Sequence, residues 1–422
     1  MTFMQNPGPS RRTVLSTAVA GATAAVGVAV AETIPSLSAA ALENATAAGP
    51  ILKPLRSDRF VLLDTNAEMR WDSVRTGDRL TDQSHLFVRN HTSTPAIRRG
   101  DYRLRVFGDG LARRRGATRR SFTLDDLQRL PQTELTSVLE CTGNGRSLFT
   151  TQQGASTSGT AWTLGAVGAV RWQGVLLRDL LERVGLAPDA VSIQATGLDE
   201  AYVADGTDHG HVRRPFGIRK ALDDALLAWG ANGQDLLPDH GYPLRLVLPG
   251  WVGIASIKWL GSLQVSRTEL SSPWNTIFYR MTGGAYPADS PPLTLNPVRS
   301  AWQLPWRATL AAGARHVLHG RSWSGTAPVT RVEVSLDGGA SWRPTTVRRA
   351  EHRDQHEDGQ GSGPHDRSWT QWSVRWDEPT PGSYDLLARA TDATGRTQPL
   401  VAAYNSAGYF FDAVVRHPVT VG

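Results

Sequence analysis

The chain has 422 residues, enough for about three units at roughly 150 residues per domain. With 20% charged and 40% apolar residues it has a globular composition, not a disordered, collagenous or multi-span membrane one. The net charge of +6 comes almost wholly from arginine, because Lys53, Lys220 and Lys258 are the only lysines; arginine suits bidentate binding of oxyanions.

In chain order, Ser10-Arg11-Arg12-Thr13 introduces an uncharged stretch to Ala31, the outline of a twin-arginine export signal over residues 1–31. The expectation is a cleaved signal, only transient contact with the membrane, and a periplasmic or extracellular protein. That route carries proteins already folded, which suits a cofactor inserted beforehand. Residues 32–85 read as a polar, proline-bearing lead-in. Residues 86–290 mix short strands with amphipathic helices, an α+β region of catalytic size. Within it Leu104 to Phe107 and Leu244 to Leu248 read as strands, as does Ile257 to Val265 after the break at Pro249-Gly250. Thr123 caps a helix, and Val175 to Leu181 reads as helical.

Residues 291–422 alternate strictly. Val332, Val334 and Leu336 precede the turn Asp337-Gly338-Gly339, and Trp372, Val374 and Trp376 alternate again, followed by Tyr384, Leu386 and Ala388. Such strands predict a β-sandwich of immunoglobulin type without the usual disulfide. Glu351 to Ser368 reads as a solvated insertion in which His352 and His356 are exposed polar residues, not metal ligands. Basic residues are scattered apart from the short run Arg113 to Arg115 with Arg119 and Arg120, so nucleic acid is not an expected partner.

Cys141 is the single cysteine, which excludes an intrachain disulfide, a CxxCH haem attachment and any multi-cysteine metal site. It ends an apolar run and opens the glycine-rich Thr142-Gly143-Asn144-Gly145-Arg146. A thiolate and a guanidinium can share a cavity there, although a lone cysteine is more often an inert buried residue.

The segment Glu140-Cys141-Thr142-Gly143-Asn144-Gly145-Arg146 resembles the molybdenum-ligating motif of the sulfite oxidase family of molybdopterin enzymes. Phe87-Val88-Arg89-Asn90-His91, Trp162 to Gly168 with Trp172-Gly174-Val175, His240-Gly241-Tyr242-Pro243-Leu244-Arg245, and Lys258-Trp259-Leu260 resemble further segments of that family in the same order. Arg331 to Gly339, Gln398-Pro399 and Tyr404-Asn405 resemble its dimerisation domain. The resemblance implies that Cys141 is the protein's one ligand to a molybdenum held by molybdopterin, a soft thiolate suiting that metal. It further implies that Asn90, His91, His240, Arg245, Ser256 and Lys258, with Asp199 a weaker candidate, grip the cofactor. Arg89 and Arg146 would cage a small oxyanion, sulfite, with Trp162 packing on the cage and Tyr279 donating a hydrogen bond. No haem-binding segment is recognisable, so electrons are expected to pass to an external carrier such as cytochrome c, from a homodimer.

Two segments depart from the family pattern. Tyr404-Asn405-Ser406 lacks the arginine that completes the anion cage in animal-type sulfite oxidases. Asp205 to Arg219, with His209, His211, Arg213 and Arg214, has no match and reads as a solvated loop, the alternative being a stretch that restores positive charge to the pocket. Competing readings are a sulfane dehydrogenase or a methionine sulfoxide reductase of the same cofactor class, or a non-catalytic secreted binding protein in which Cys141 is incidental.

Overall fold

The computed structural model describes residues 50–112, 120–348 and 367–422. The export signal, Arg113 to Arg115, Arg119, and the loop holding His352 and His356 lie outside the described residues.

The longest strand pairing of the first region positions the sole thiol. Gln132–Glu140 runs antiparallel to Val167–Leu176, in register from Gln132 opposite Val175 to Glu140 opposite Val167, so Cys141 emerges where the ladder stops. Val167–Leu176 is covered on both faces. Val170 and Trp172 join the core around Cys141, whereas Val167 and Ala169 pack towards the second region. A near-continuous apolar run is what such a doubly covered strand requires. Leu226–Ala231 pairs on its other side and carries Arg245–Val247 at its end.

A second five-stranded sheet has the order Arg213–Gly217, Ser192–Gly197, Leu260–Ser266, Leu104–Phe107, Ser121–Phe122, with only the Leu260–Ser266 and Leu104–Phe107 pair parallel. Leu104 and Val106 point inward and their neighbours outward, the alternation a half-buried strand needs. Thr123 caps the helix Leu124–Gln128 in a capping box with Asp126. The helix expected from Val175 begins instead at Leu177, because Val175 and Leu176 still pair with Leu227 and Leu226. From there Leu177, Leu180, Leu181 and Val184 form one buried stripe at helical spacing. Likewise the strand expected from Ile257 starts at Leu260, and residues 256–259 turn into a cavity. Among the described residues the α-helices are five and short, none exceeding eight residues, so the region is richer in sheet than an even α/β mixture. Residues ahead of Leu86 add a sheet of Phe60–Leu63, Asn66–Met69 and Val88–Arg89, which carries Arg89.

In the second region a four-stranded sheet (Arg299–Trp302, Arg315–Trp323, Thr370–Asp377, Thr346–Arg348) faces a five-stranded one (Ala308–Leu310, His417–Val421, Gly382–Asp392, Val329–Ser335, Arg343–Pro344). Trp302, Leu318, Trp372 and Val374 from one meet Val332, Val334, Leu386 and Ala390 from the other in a single core. This is a β-sandwich, with the expected hairpin around Asp337. Both regions belong to one compact unit and share a third core in which Phe149 and Leu164 meet Trp323, Trp369 and Phe411.

Candidate active site

Strand ends and the loops after them converge on a cavity of about 720 Å³, counted out to its mouth. It is lined by Arg89, Asn90, His91, Cys141, Asp199, His240, Arg245, Ser256, Lys258 and Tyr279, residues spread over 190 positions of sequence, together with Thr142, Asp239 and Trp259. Gly253 lies so close to the end of the Cys141 strand that a Cβ there would come within 2.6 Å of the Glu140 carbonyl oxygen.

Cations dominate the lining. The Lys258 ammonium donates to Asn90 Oδ1 and to the Asp239 carbonyl (2.8 Å) and sits 4.2 Å over the Trp259 ring. Arg245 donates to the His240 carbonyl (2.9 Å) and the Ser256 carbonyl (3.0 Å), and its guanidinium lies 4.8 Å over the ring of Trp172. Burial brings the Lys258 ammonium down to about 7 and the Arg245 guanidinium down to about 9. Behind His240, the Lys53 ammonium donates to the Gln83 carbonyl (3.0 Å) and the Leu86 carbonyl, 3.3 Å from His240 Nε2, and burial lowers it to about 7.

His91 and His240 are buried, and desolvation first, then neighbouring cations, holds both imidazoles neutral. Trp274 Nε1 donates to His91 Nε2 (3.3 Å), so the imidazole proton sits on Nδ1, and the Tyr279 hydroxyl also lies 3.3 Å from Nε2. Burial raises the Cys141 thiol, against the opposing pull of Arg89 and Arg146. It also raises the Asp199 carboxyl to about 6. The Ser256 hydroxyl accepts from the Leu248 amide (3.1 Å).

Two expected site residues stand behind this lining. The Arg146 guanidinium donates to the carbonyls of Thr160 (2.7 Å) and Ala407 (2.8 Å) and lies 5.4 Å from the Tyr409 ring centroid. Trp162 is buried in the core edge-on to Phe87, with ring centroids 6.3 Å apart, and it is Phe87 that faces the cavity. Where the family's additional arginine would stand, Ser406, Ala407 and Gly408 bring backbone close to Arg146 instead.

The stretch Asp205 to Arg219 is not a solvated loop throughout. Arg213–Gly217 pairs with Ser192–Gly197, which buries Arg214, Pro215 and Phe216. Arg214 donates to the Trp274 and Leu293 carbonyls, close enough to Tyr279 and Tyr409 to share their electrostatics. His211 bonds the Asp199 carbonyl through its ring nitrogen.

Sequence reading missed Lys53, Asp239 and Tyr409. Asp239 accepts from the Lys53 amide (2.6 Å) and the Thr94 hydroxyl (2.6 Å), tying the lead-in to the cavity floor. Tyr409 stacks on Tyr279 with centroids 5.3 Å apart. The scarcity of lysine was a usable signal for Lys53; nothing local marked Tyr409.

The donor set fits an anionic, thiolate-ligated metal cofactor. Arg245 Nε, Thr142 Oγ1 and Asp199 Oδ1 are buried polar atoms of lining residues without partners, and two cations depressed by burial, Arg245 and Lys258, border the same space. No group of three or more His, Cys, Asp or Glu suited to a metal occurs among the described residues. A metal bound beside Cys141 would have one protein thiolate and would need further ligands from a cofactor.

A family model described as "Oxidoreductase molybdopterin binding domain" matches residues 91–274, and one described as "Mo-co oxidoreductase dimerisation domain" matches residues 297–421. The mitochondrial sulfite oxidase of Homo sapiens is 32% identical over 343 residues, covering 77% of this chain and 58% of that one. The sulfite oxidase of Gallus gallus is 32% identical over 339 residues (76% and 68%), and the NADH nitrate reductase of Ulva prolifera is 30% identical over 355 residues (78% and 39%). The chain thus spans less than two thirds of several of these relatives. The crystal structure of the sulfane dehydrogenase SoxCD from Paracoccus pantotrophus superposes with a TM-score of 0.68 at 26% identity, covering 88% of this chain and 91% of that one.

Proposed function

From the premise that this chain belongs to the sulfite oxidase family of molybdopterin-dependent oxidoreductases, a family of enzymes, we propose that it oxidises sulfite to sulfate. The observation that carries this reading is a buried thiol under the joint pull of Arg89 and Arg146, in a cavity also lined by Arg245 and Lys258, whose hydrogen bonds go to backbone carbonyls and the Asn90 amide oxygen.

In this reading Cys141 holds molybdenum, which supplies oxygen-atom transfer and accepts two electrons when bound. Arg245 and Lys258, with Asn90, His91, Asp199, His240 and Ser256, hold the pterin and its phosphate. Arg245 keeps an unused Nε–H for that purpose, and a phosphate beside Lys258 restores its full charge. Arg89 in the lining draws in the sulfite dianion, and Arg146 adds positive charge from behind it, where two backbone carbonyls fix its guanidinium in advance. Because Trp274 already donates to His91 Nε2, the Tyr279 hydroxyl beside that nitrogen can turn its proton to a substrate oxygen. Trp162 supports the pocket through Phe87. The balance is sulfite plus water giving sulfate, two protons and two electrons, the electrons passing singly to an external carrier such as cytochrome c.

We further read residues 1–31 as a twin-arginine signal, with export to the periplasm or beyond, and residues 32–85 as a lead-in joined to the cofactor region of residues 86–290. Residues 291–422 are read as an immunoglobulin-like module that pairs two copies. A second reading, a sulfane dehydrogenase acting on larger sulfur substrates, is favoured by the small residues Ser406 to Gly408 where the family's extra cation would stand. Steady-state oxidation of sulfite by metal-loaded protein, with ferricyanide and with cytochrome c, tests the proposal. Turnover with both is expected; no turnover with either acceptor would move the assignment to the second reading.

A further inference from the structure

The loop carrying Cys141 is held at alternate residues by the second region. Glu140, buried at the strand end, accepts through Oε1 from Arg299 Nη1 (3.1 Å) and from Asn144 Nδ2 (2.9 Å), and through Oε2 from Trp323 Nε1 (2.9 Å). The Thr142 carbonyl accepts from the Phe410 amide (3.1 Å). Arg299 Nη1 also donates to the Asn144 carbonyl (2.7 Å), and Arg146 donates to Ala407. Thus residues 140, 142, 144 and 146 all bond across the domain boundary, while Cys141 between them points to the cavity. Gly145 makes this approach possible: its φ is +83°, and a Cβ there would lie 2.5 Å from Arg299 Nη2.

We infer that the β-sandwich sets the position of the Cys141 sulfur, with Arg299 as a positioning residue acting through Glu140 and Asn144. The inference rests on Cys141 being the metal ligand. Glu140 is covalently next to Cys141, so its side chain and its carbonyl cannot move apart from the thiol. One guanidinium nitrogen spans Glu140 and Asn144 and closes the loop from outside. Fixing such groups behind a ligand tunes the ligand bond without touching substrate. The second region would then be part of the metal site and not only a pairing module.

Arg299→Lys keeps the charge but cannot reproduce the planar fork, and Trp323→Phe removes the N–H together with part of a buried ring, a volume loss that the control substitution matches. Trp372→Phe, which removes the N–H bonded to Ser322 in the sandwich core, serves as a control away from the loop. The readouts are metal per folded chain, the thiolate-to-metal charge-transfer absorption of the loaded protein, thermal melting, and kcat against KM for sulfite. Arg299→Lys is expected to shift or weaken the absorption band and lower kcat by about 10- to 100-fold, with KM little changed. Trp323→Phe is expected to shift the band in the same direction but less, and Trp372→Phe to lower the melting temperature alone. If the folded variants at 299 and 323 keep the wild-type band and kcat, the clamp is refuted; should Arg299→Lys not fold, Trp323→Phe decides by itself. A metal-loaded wild type with no thiolate band overturns the ligand assignment and the clamp together, whereas absent sulfite turnover with the band intact touches only the substrate.

Discussion

Two groups of buried cations lie on either side of the Cys141 loop, and they are built in opposite ways. On the cavity side Lys53, Arg245 and Lys258 are held largely by neutral carbonyls, and burial depresses all three. On the sandwich side Arg299 meets the Glu140 carboxylate, which is also satisfied by Asn144 and Trp323. An ion pair closed within the protein is architecture; cations that hydrogen-bond mainly to dipoles, with carboxylates such as Asp239 acting only at longer range, leave room for a negative ligand. Burial alone does not make the distinction. Arg321 is also buried and lowered to about 10, yet it donates to the carbonyls of Arg75 and Asp78 and stacks 4.3 Å over Trp369, outside the lining of the Cys141 cavity.

The sharpest break between the two sides is expected at the thiol. Cys141→Ser should abolish turnover and the thiolate-to-metal absorption while leaving the melting temperature near wild type, since an almost isosteric oxygen replaces a weakly bonded sulfur. Full activity in that variant would contradict the site as described. Next comes one substitution made on both sides. Arg299→Met strands a buried carboxylate and should cost about 3–5 kcal/mol in denaturant unfolding of the metal-free protein. Arg245→Met removes an unmatched charge and should cost that form less than about 1 kcal/mol, yet weaken cofactor retention by about 2 kcal/mol or more, roughly 30-fold. Equal destabilisation by the two would erase the distinction.

The pH dependence of the metal-free protein sharpens it further. Lys53 and Lys258 are held near 7 in the fold but titrate at about 10.4 when unfolded, so between those values the unfolded chain binds more protons. Stability from these groups therefore rises with pH from about 7 towards 10 and is flat below. Cofactor phosphate should pull Lys258, which lines the cavity, back up and reduce the rise in the loaded protein; identical profiles for the two forms in thermal melts would argue against an anion at this place. The smallest effect is expected for Tyr279→Phe. Losing one hydroxyl hydrogen bond should lower kcat/KM for sulfite about tenfold with the fold intact, read from steady-state kinetics.

Much of this was legible before any coordinates. The alternation at Val332 and Val334 and the Thr123 cap reflect local periodicity and local hydrogen bonding, which neighbouring residues suffice to express. Residues carried by short motifs, such as Arg89 to His91 and Arg245, converge on the cavity because each motif sits at the end of a strand. Trp162 proved a different case: its motif was readable, but whether its ring or that of Phe87 faces the cavity depends on packing between elements. Lys53 and Tyr409 escaped because each reaches the site from a distant segment. The Asp205 to Arg219 stretch looked solvated by composition, yet pairing with Ser192–Gly197 buries three of its residues.

The amino-acid order by itself determined that one thiol, followed by a glycine-rich turn, was available as a soft ligand, and that arginine carried nearly all the positive charge. It also determined where strands and turns could form, because side-chain periodicity acts over a few residues. Only the tertiary structure decided which cations share a space, which one meets a carboxylate, and which carbonyls hold Arg146. Desolvation and Coulomb interaction depend on distance through space, and that distance exists only once remote segments have packed.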